Sequence, residues 1–338
     1  MSDFDWRAAC CACSMLALAM GCSNRGLHDS GMGGGGAAPP ANGSGGQGPS
    51  GGAAGGDDVR LDPELEPPVF VQAWGQYGTA PGEFVEPSSV ELDGDGNVYV
   101  AGHEDRLQKF SAEGALLDIF GSSGTGDGEF DHPHGLAMDR AAGLLYAGDQ
   151  ENGRVQVFTT DGAFVLAWSD PEFQHIHDVG IDPVSGDIYV GDYEADIMQK
   201  FTSTGTPLFD FGTTGSAPGE FQGAWGIATD SDGRVYVADT GNQRVQVFSP
   251  EGVFLAEWVG FTKPTGVFVD SSDRIYVCDS IADTIVIFDV GGNPLASWDL
   301  ETIVGSSSEP EDLIITADGE HIYIGDVLNH RVVHLRRK

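Results

Sequence analysis

Positive charge is scarce in this chain: Lys and Arg number 16 against 52 Asp and Glu, for a net charge of −36. Such a surface repels phosphate backbones, so nucleic-acid binding is excluded as a working function, and cations or basic partners are favoured. Cysteine is scarce where a fold could use it. Four of the five lie at Cys10, Cys11, Cys13 and Cys22, and Cys278 stands alone in the body. One cysteine makes no internal disulfide, and Cys278, inside the apolar run RIYVCD, reads as an inert buried thiol. Long apolar runs are also missing. The longest, Ala8 to Gly21, has the length of a signal peptide and is too short for a comfortable membrane span. Helical periodicity is absent throughout. Glycine, by contrast, is abundant at 50 residues and unevenly spread.

The apolar N-terminal run ends in small residues followed by Cys22. It resembles a bacterial lipoprotein signal, in which such a cysteine is lipidated and becomes the mature N-terminus. Two features depart from that pattern: Ala19 and Met20 stand where Leu and a small residue are preferred, and Asp3 and Asp5 offset Arg7. Thirteen glycines follow between Gly31 and Gly56, a composition that cannot bury enough apolar surface to order the chain. The organisation expected is a signal segment over residues 1–21, a flexible tether over 22–68 spanning about 40 Å on average, and a folded body over 69–338. The resemblance implies a bacterial cell-envelope protein, lipid-anchored outside the cytoplasm and touching membrane only through its lipid. A plain secreted protein is the alternative.

The body is one unit written six times. Its marker is a tyrosine in a β-rich run: Tyr99, Tyr146, Tyr189, Tyr236, Tyr276 and Tyr323, which are six of the chain's eight tyrosines. Around each, an apolar run ends in an acidic turn such as LDGDGN, the tyrosine strand follows, and then come runs such as RVQVF and FVLAW. β-Branched and aromatic runs divided by Asx and Gly turns read as four antiparallel strands per unit. Six such units make an all-β, six-bladed β-propeller. The body opens at VFVQAWG, a fourth-strand sequence, and stops after a third strand, so the first strand is expected to complete the last blade. DGDGN at Asp93–Asn97 reads as a hairpin turn, since Val98 stands where a calcium loop needs Gly.

Gly219–Phe221 ahead of a first strand, Val235–Asp239 on a second and Asn242–Phe248 on a third resemble the NHL repeat, and the pattern recurs in register across the body. An Asp-x-x-Asn-x-Arg element is whole in blades two, four and six, as Asp149/Asn152/Arg154, Asp239/Asn242/Arg244 and Asp326/Asn329/Arg331. It is expected to brace the turn between strands two and three, with the arginine missing from blades one, three and five.

In such a propeller one face carries the long blade-to-blade connections, where binding groups concentrate. The approaches to the six first strands align as Glu86-Pro87-Ser88, His132-Pro133-His134, His175-Ile176-His177, Gly223-Ala224-Trp225, Lys263-Pro264-Thr265 and Glu309-Pro310-Glu311. They are expected to ring the mouth of a central channel. Residues two apart in an extended segment point the same way, so two or more of His132, His134, His175 and His177 could share an ion, with Glu311 as a third ligand. Ser88, Trp225, Thr265 and His103 complete the expected binding mouth. The segments PHGLAMD and DQENGRVQVF also resemble peptidyl-hydroxyglycine amidating lyases, six-bladed propellers with a zinc held by three histidines. That resemblance implies zinc and a metal-dependent lyase or hydrolase. No third aligned histidine and no catalytic tyrosine or arginine match it. Two readings therefore stand: a monomeric binding module whose loop-rich face takes a protein or small molecule, and a zinc enzyme. On the first, the histidines are polar rim or packing groups.

Overall fold

The computed structural model describes residues 65–338; the expected signal segment, Cys22 and most of the expected tether lie outside them. Six antiparallel sheets of four strands each form a six-bladed propeller, and in five of them the strands follow one another in sequence order. The sixth sheet pairs Val69–Trp74 with Arg331–Arg336, from Val69 opposite Arg336 to Trp74 opposite Val332. The N-terminal strand thus covers the outer edge that Arg331–Arg336 would otherwise expose and completes the sixth blade, closing the ring. Contacts of the body begin ahead of Val69. Leu65 is buried, and its carbonyl accepts from Trp298 Nε1 at 3.1 Å. Helix is sparse among the described residues, its complete elements being the 3-10 turn Thr240–Asn242 and one short helix, Leu300–Val304.

The first strands, Pro87–Leu92, Pro133–Asp139, Ile176–Ile181, Ala224–Thr229, Pro264–Val269 and Pro310–Ile315, line the axis. Second strands are sandwiched between neighbouring blades and buried on both faces, which explains their unbroken apolar runs. The marker tyrosines are all buried, and a buried hydroxyl needs a partner. Tyr99, Tyr146, Tyr189 and Tyr323 donate to backbone carbonyls of the next blade, at Thr160, Ser203, Pro250 and Ala112. Tyr236 and Tyr276 donate instead to Asp230 and Asp270 in their own acidic turns. The repeated tyrosine is therefore a staple between blades as well as a core residue.

The Asp-Asn-Arg element does more than brace a turn. In blade two the buried Asp149 accepts from Asp131 N–H, Asn152, Arg154 and Gln156. Arg154 in turn donates to the carbonyls of Thr125, Gly126 and Glu129 in the preceding blade-to-blade connection. The element clamps that connection onto its blade. One expectation is corrected: blade one keeps its arginine. Arg106 begins the third strand as Arg154 does and donates to the carbonyls of Thr79 and Ala80. What blade one lacks are the aspartate and the asparagine. Gly102 stands opposite Arg106, and Glu104 supplies the carboxylate, accepting from Val85 N–H and Gln108.

At the axis the first strands approach closely. A Cβ at Gly135 would stand 2.4 Å from Asp178 Cα, and one at Gly266 would stand 2.6 Å from the Glu311 carbonyl. Only glycine permits that spacing, and it narrows the channel next to the aligned approach residues.

Candidate functional site at the channel mouth

Every first strand carries a register shift at the aligned positions: Pro87/Ser89, Pro133/Leu136, Ile176/Asp178, Ala224/Ile227, Pro264/Val267 and Pro310/Asp312. Bulges of this kind re-aim side chains. Here Ser88, His134, His177, Trp225 and Glu311 line one small cavity at the axis, and Thr265, at the same register, is fully buried beside it. His132 does not follow. Its φ of 56° puts it in the left-handed region, so the expectation that residues two apart share a direction fails in blade two.

The imidazoles therefore separate into an inner pair and an outer pair. The rings of His134 and His177 lie 3.8 Å apart, and both side chains are buried. His132 is drawn outward to Asp131 at 2.9 Å, and His175 lies 3.8 Å from Glu151. His103 stands between the sets, 5.1 Å from His132, 5.8 Å from His134 and 3.1 Å from Glu86. His330 sits farther round the rim against Tyr77.

Glu311 joins the inner pair from blade six. One ligand atom from each of His134, His177 and Glu311 lies within 4.8 Å of the other two, and all three residues are buried. His134 Nδ1 is 2.9 Å from the His177 carbonyl, and because a carbonyl only accepts, Nδ1 carries the proton and Nε2 keeps its lone pair. His177 Nδ1 is buried with no hydrogen-bond partner among the described residues. Burial, with the neighbouring histidines, holds both imidazoles well below their usual pKa, so they are neutral and able to ligate. Burial raises Glu311 to about 6, against the pull of Lys263 and a 2.6 Å hydrogen bond from Trp225 Nε1.

Trp225 caps the pair. Its ring lies 4.1 Å from His177 and 5.5 Å from Tyr193, and Lys263 Nζ lies over it at 4.7 Å. Ser88 and Thr265 belong to the ring, yet their hydroxyls are spent on backbone carbonyls, Ser88 on Ala101 and Thr265 on Pro310. Beneath lies a cavity of about 10 Å3, the space of one water or ion.

The residues that sequence reasoning passed over come one position later: Ser89, Gly135, Asp178, Gly226, Gly266 and Asp312. Two aspartates in a column otherwise made of glycine and serine were the available signal. Asp312 accepts from Ser89 Oγ and Val90 N–H, and Asp178 accepts from Ile227 N–H, so each ties its blade to the next. Burial raises both, Asp312 to about 6 and Asp178 well above its ordinary value, with the nearby charge of Asp312 adding to the rise at Asp178. Tyr193, which packs on His177 and Trp225, was likewise missed as a mouth residue, whereas Lys263 lies at the mouth as its alignment implied. A second cluster, Asp105, Asp131 and His132, is half-buried. Its Asp105 already accepts from His132 N–H.

A family model described as NHL repeat matches residues 130–158 and 221–248. Protein lin-41 of Caenorhabditis elegans is 47% identical over 51 residues, which is 15% of this chain and 4% of that protein. Tripartite motif-containing protein 2 of Homo sapiens is 43% identical over 47 residues, 14% of this chain and 6% of that protein. The chain thus spans only a small part of the length of these relatives. Among solved structures, virginiamycin B lyase from Staphylococcus aureus superposes with a TM-score of 0.57 at 12% identity, covering 75% of this chain and 96% of that one. A protein of unknown function from Bacteroides thetaiotaomicron gives 0.62 at 14% identity, covering 78% and 74%. At such identities the likeness is one of fold.

Proposed function

For a six-bladed propeller that carries NHL repeats, we propose the role of a binding module whose loop-rich face takes a protein or small-molecule ligand. The observation that carries this is the shape of the mouth. It is lined by Trp225, Tyr193, His177 and Glu311, and it closes at once to about 10 Å3. A ligand of any size stays at the rim, where Tyr77, Tyr193, Ile281 and Leu328 are exposed. Acidic composition and exposed rings suit a cationic ligand. A thermal-shift screen of cationic peptides and aromatic amines tests this. A shift lost in Tyr193→Ala and kept in Val184→Ala, on the opposite side, supports the reading. Shifts indifferent to Tyr193, or none, refute it.

Lipid attachment at Cys22, outside the cytoplasm, is part of this proposal. It rests on the N-terminal pattern alone. Palmitate labelling lost in Cys22→Ser supports it, and an unlabelled full chain refutes it.

The second reading, a zinc-dependent lyase or hydrolase, is favoured by one observation: two neutral imidazoles and a carboxylate gathered at one buried point, with His177 Nδ1 unpartnered. This donor set fits zinc. His134, His177 and Glu311 would hold it, and zinc so held supplies Lewis acidity toward a carbonyl or water. Metal analysis of the purified chain separates the readings. Zinc near one per chain, lost in a His134→Ala/His177→Ala double variant, supports the site, and below ~0.1 per chain sinks it.

A further inference from the structure

Blades one, two and four each hold their long connection through one glutamine on the third strand. Gln108 Oε1 accepts from Gly82 N–H at 2.8 Å while its Nε2 donates to the Glu83 carbonyl at 2.8 Å. Gln156 does the same with Gly128 and Glu129, and Gln246 with Gly219 and Glu220. In each case the donating glycine has positive φ, between 79° and 85°. Blades five and six have no such glycine-glutamate turn, and there the glutamine is replaced by Val286 and Val333, in register opposite Val277 and Ile324.

Blade three breaks the correlation. Its connection is short, running only from Trp168 to Phe173, where the sister connection runs from Phe120 to Phe130. Pro171 replaces the glycine and has no N–H to give. Yet Gln199 keeps the glutamine position, opposite Val190. Gln199 is 6% exposed, and its Oε1 is buried with no hydrogen-bond partner among the described residues. Beside the shortened connection opens a cavity of about 360 Å3, lined by Asp170, Glu172, Gln199, Phe201, Phe209 and Asp210. Lys200 also borders it, but its charge is taken by Asp182 at 2.8 Å, so the unspent charge is negative.

We propose that this slot on blade three binds a glycine-containing, basic peptide turn of a partner protein. Gln199 reads its main chain as the sister glutamines read their own connections. The sister blades fix the chemistry: a glycine N–H directed at Oε1, with the glycine in the left-handed conformation that lets the backbone come close. Asp170, Glu172 and Asp210 favour basic flanks. The channel mouth plays no part, so this site stands or falls apart from the function proposed above.

The probe is the capped heptapeptide KGSAPGK, which copies Gly215–Gly219 of the blade-four connection between lysines, titrated calorimetrically into the full chain. Binding with a Kd below ~1 mM is expected, weakening in high salt. KGSAPPK, lacking the second glycine's N–H, should bind about tenfold more weakly or not at all. Gln199→Val should weaken KGSAPGK similarly, and its fold is safe because blades five and six carry valine there. Replacing Ser169–Glu172 with the blade-four connection should fill the slot and abolish binding. No binding to the parent chain at 1 mM, or equal affinity in Gln199→Val, overturns the proposal.

Discussion

Replacing Glu311 with Gln should stabilise this propeller as pH rises. The carboxyl is 7% exposed, and burial lifts it from its ordinary 4.5 to about 6. Between those values the folded chain keeps a proton that the unfolded chain has released. Folding stability therefore falls as pH rises through that window, the sign opposite to that of a salt-bridged carboxylate. About 1.5 units at 1.36 kcal/mol each gives a cost of about 2 kcal/mol, fully present above pH 7. Glutamine accepts from Trp225 as the carboxyl does and pays no ionisation cost. The assay is urea unfolding of parent and variant in chelator-treated buffer, from pH 4 to 8. The difference between the two proteins should grow by about 2 kcal/mol across that range, in favour of the variant. Taking the difference removes most of the contribution of other buried carboxyls such as Glu91, Asp178 and Asp312, which titrate in both proteins. A flat difference, or a variant that loses ground as pH rises, would refute the placement of Glu311 as an acid whose burial outweighs Lys263 and Trp225. The same variant should lose any zinc, so its gain in stability and its loss of metal are separable readouts of one residue.

Three further outcomes follow from the packing. Asp149→Ala leaves Arg154 and Asn152 without their buried acceptor and should cost about 3–5 kcal/mol in chemical denaturation; a loss under 1 kcal/mol would deny the clamp. Gly135→Ala forces a Cβ to within 2.4 Å of Asp178 Cα and should cost at least ~3 kcal/mol, because backbone rather than a flexible side chain must move. Its thermal midpoint, compared with that of Gly94→Ala, where no atom lies within 4 Å and the backbone is not left-handed, checks the difference. Deleting residues 1–75 removes the strand that pairs with Arg331–Arg336 and should yield an aggregating chain by light scattering; a monodisperse, fully folded product would refute ring closure by that strand.

Much of the fold was legible because its signals are local. A tyrosine strand bounded by turns is recognised from a few residues, and six recurrences give six blades. The start of the body in a fourth strand and its end in a third imply closure. The arginine of blade one was misread because the aspartate that normally announces it is absent, and Glu104 supplies the carboxylate from a different position. At the mouth, the six aligned positions were readable from register, whereas the separation of His132 from His134 was not. That separation comes from a bulge and a left-handed residue, and neither leaves a mark in an apolar-polar pattern.

The sequence by itself determined the number of blades, which strands are inner, and which aligned positions surround the axis, because each follows from period, turn chemistry and burial within one repeat. Tertiary structure alone decided the rest. Glu311 in blade six meets Trp225 in blade four and the two histidines of blades two and three only because a closed ring brings distant blades to one narrow channel. Gln199 Oε1 is left without a partner among the described residues only because a shortened connection fails to cover it. Both are consequences of closure and packing between repeats, and no single repeat contains them.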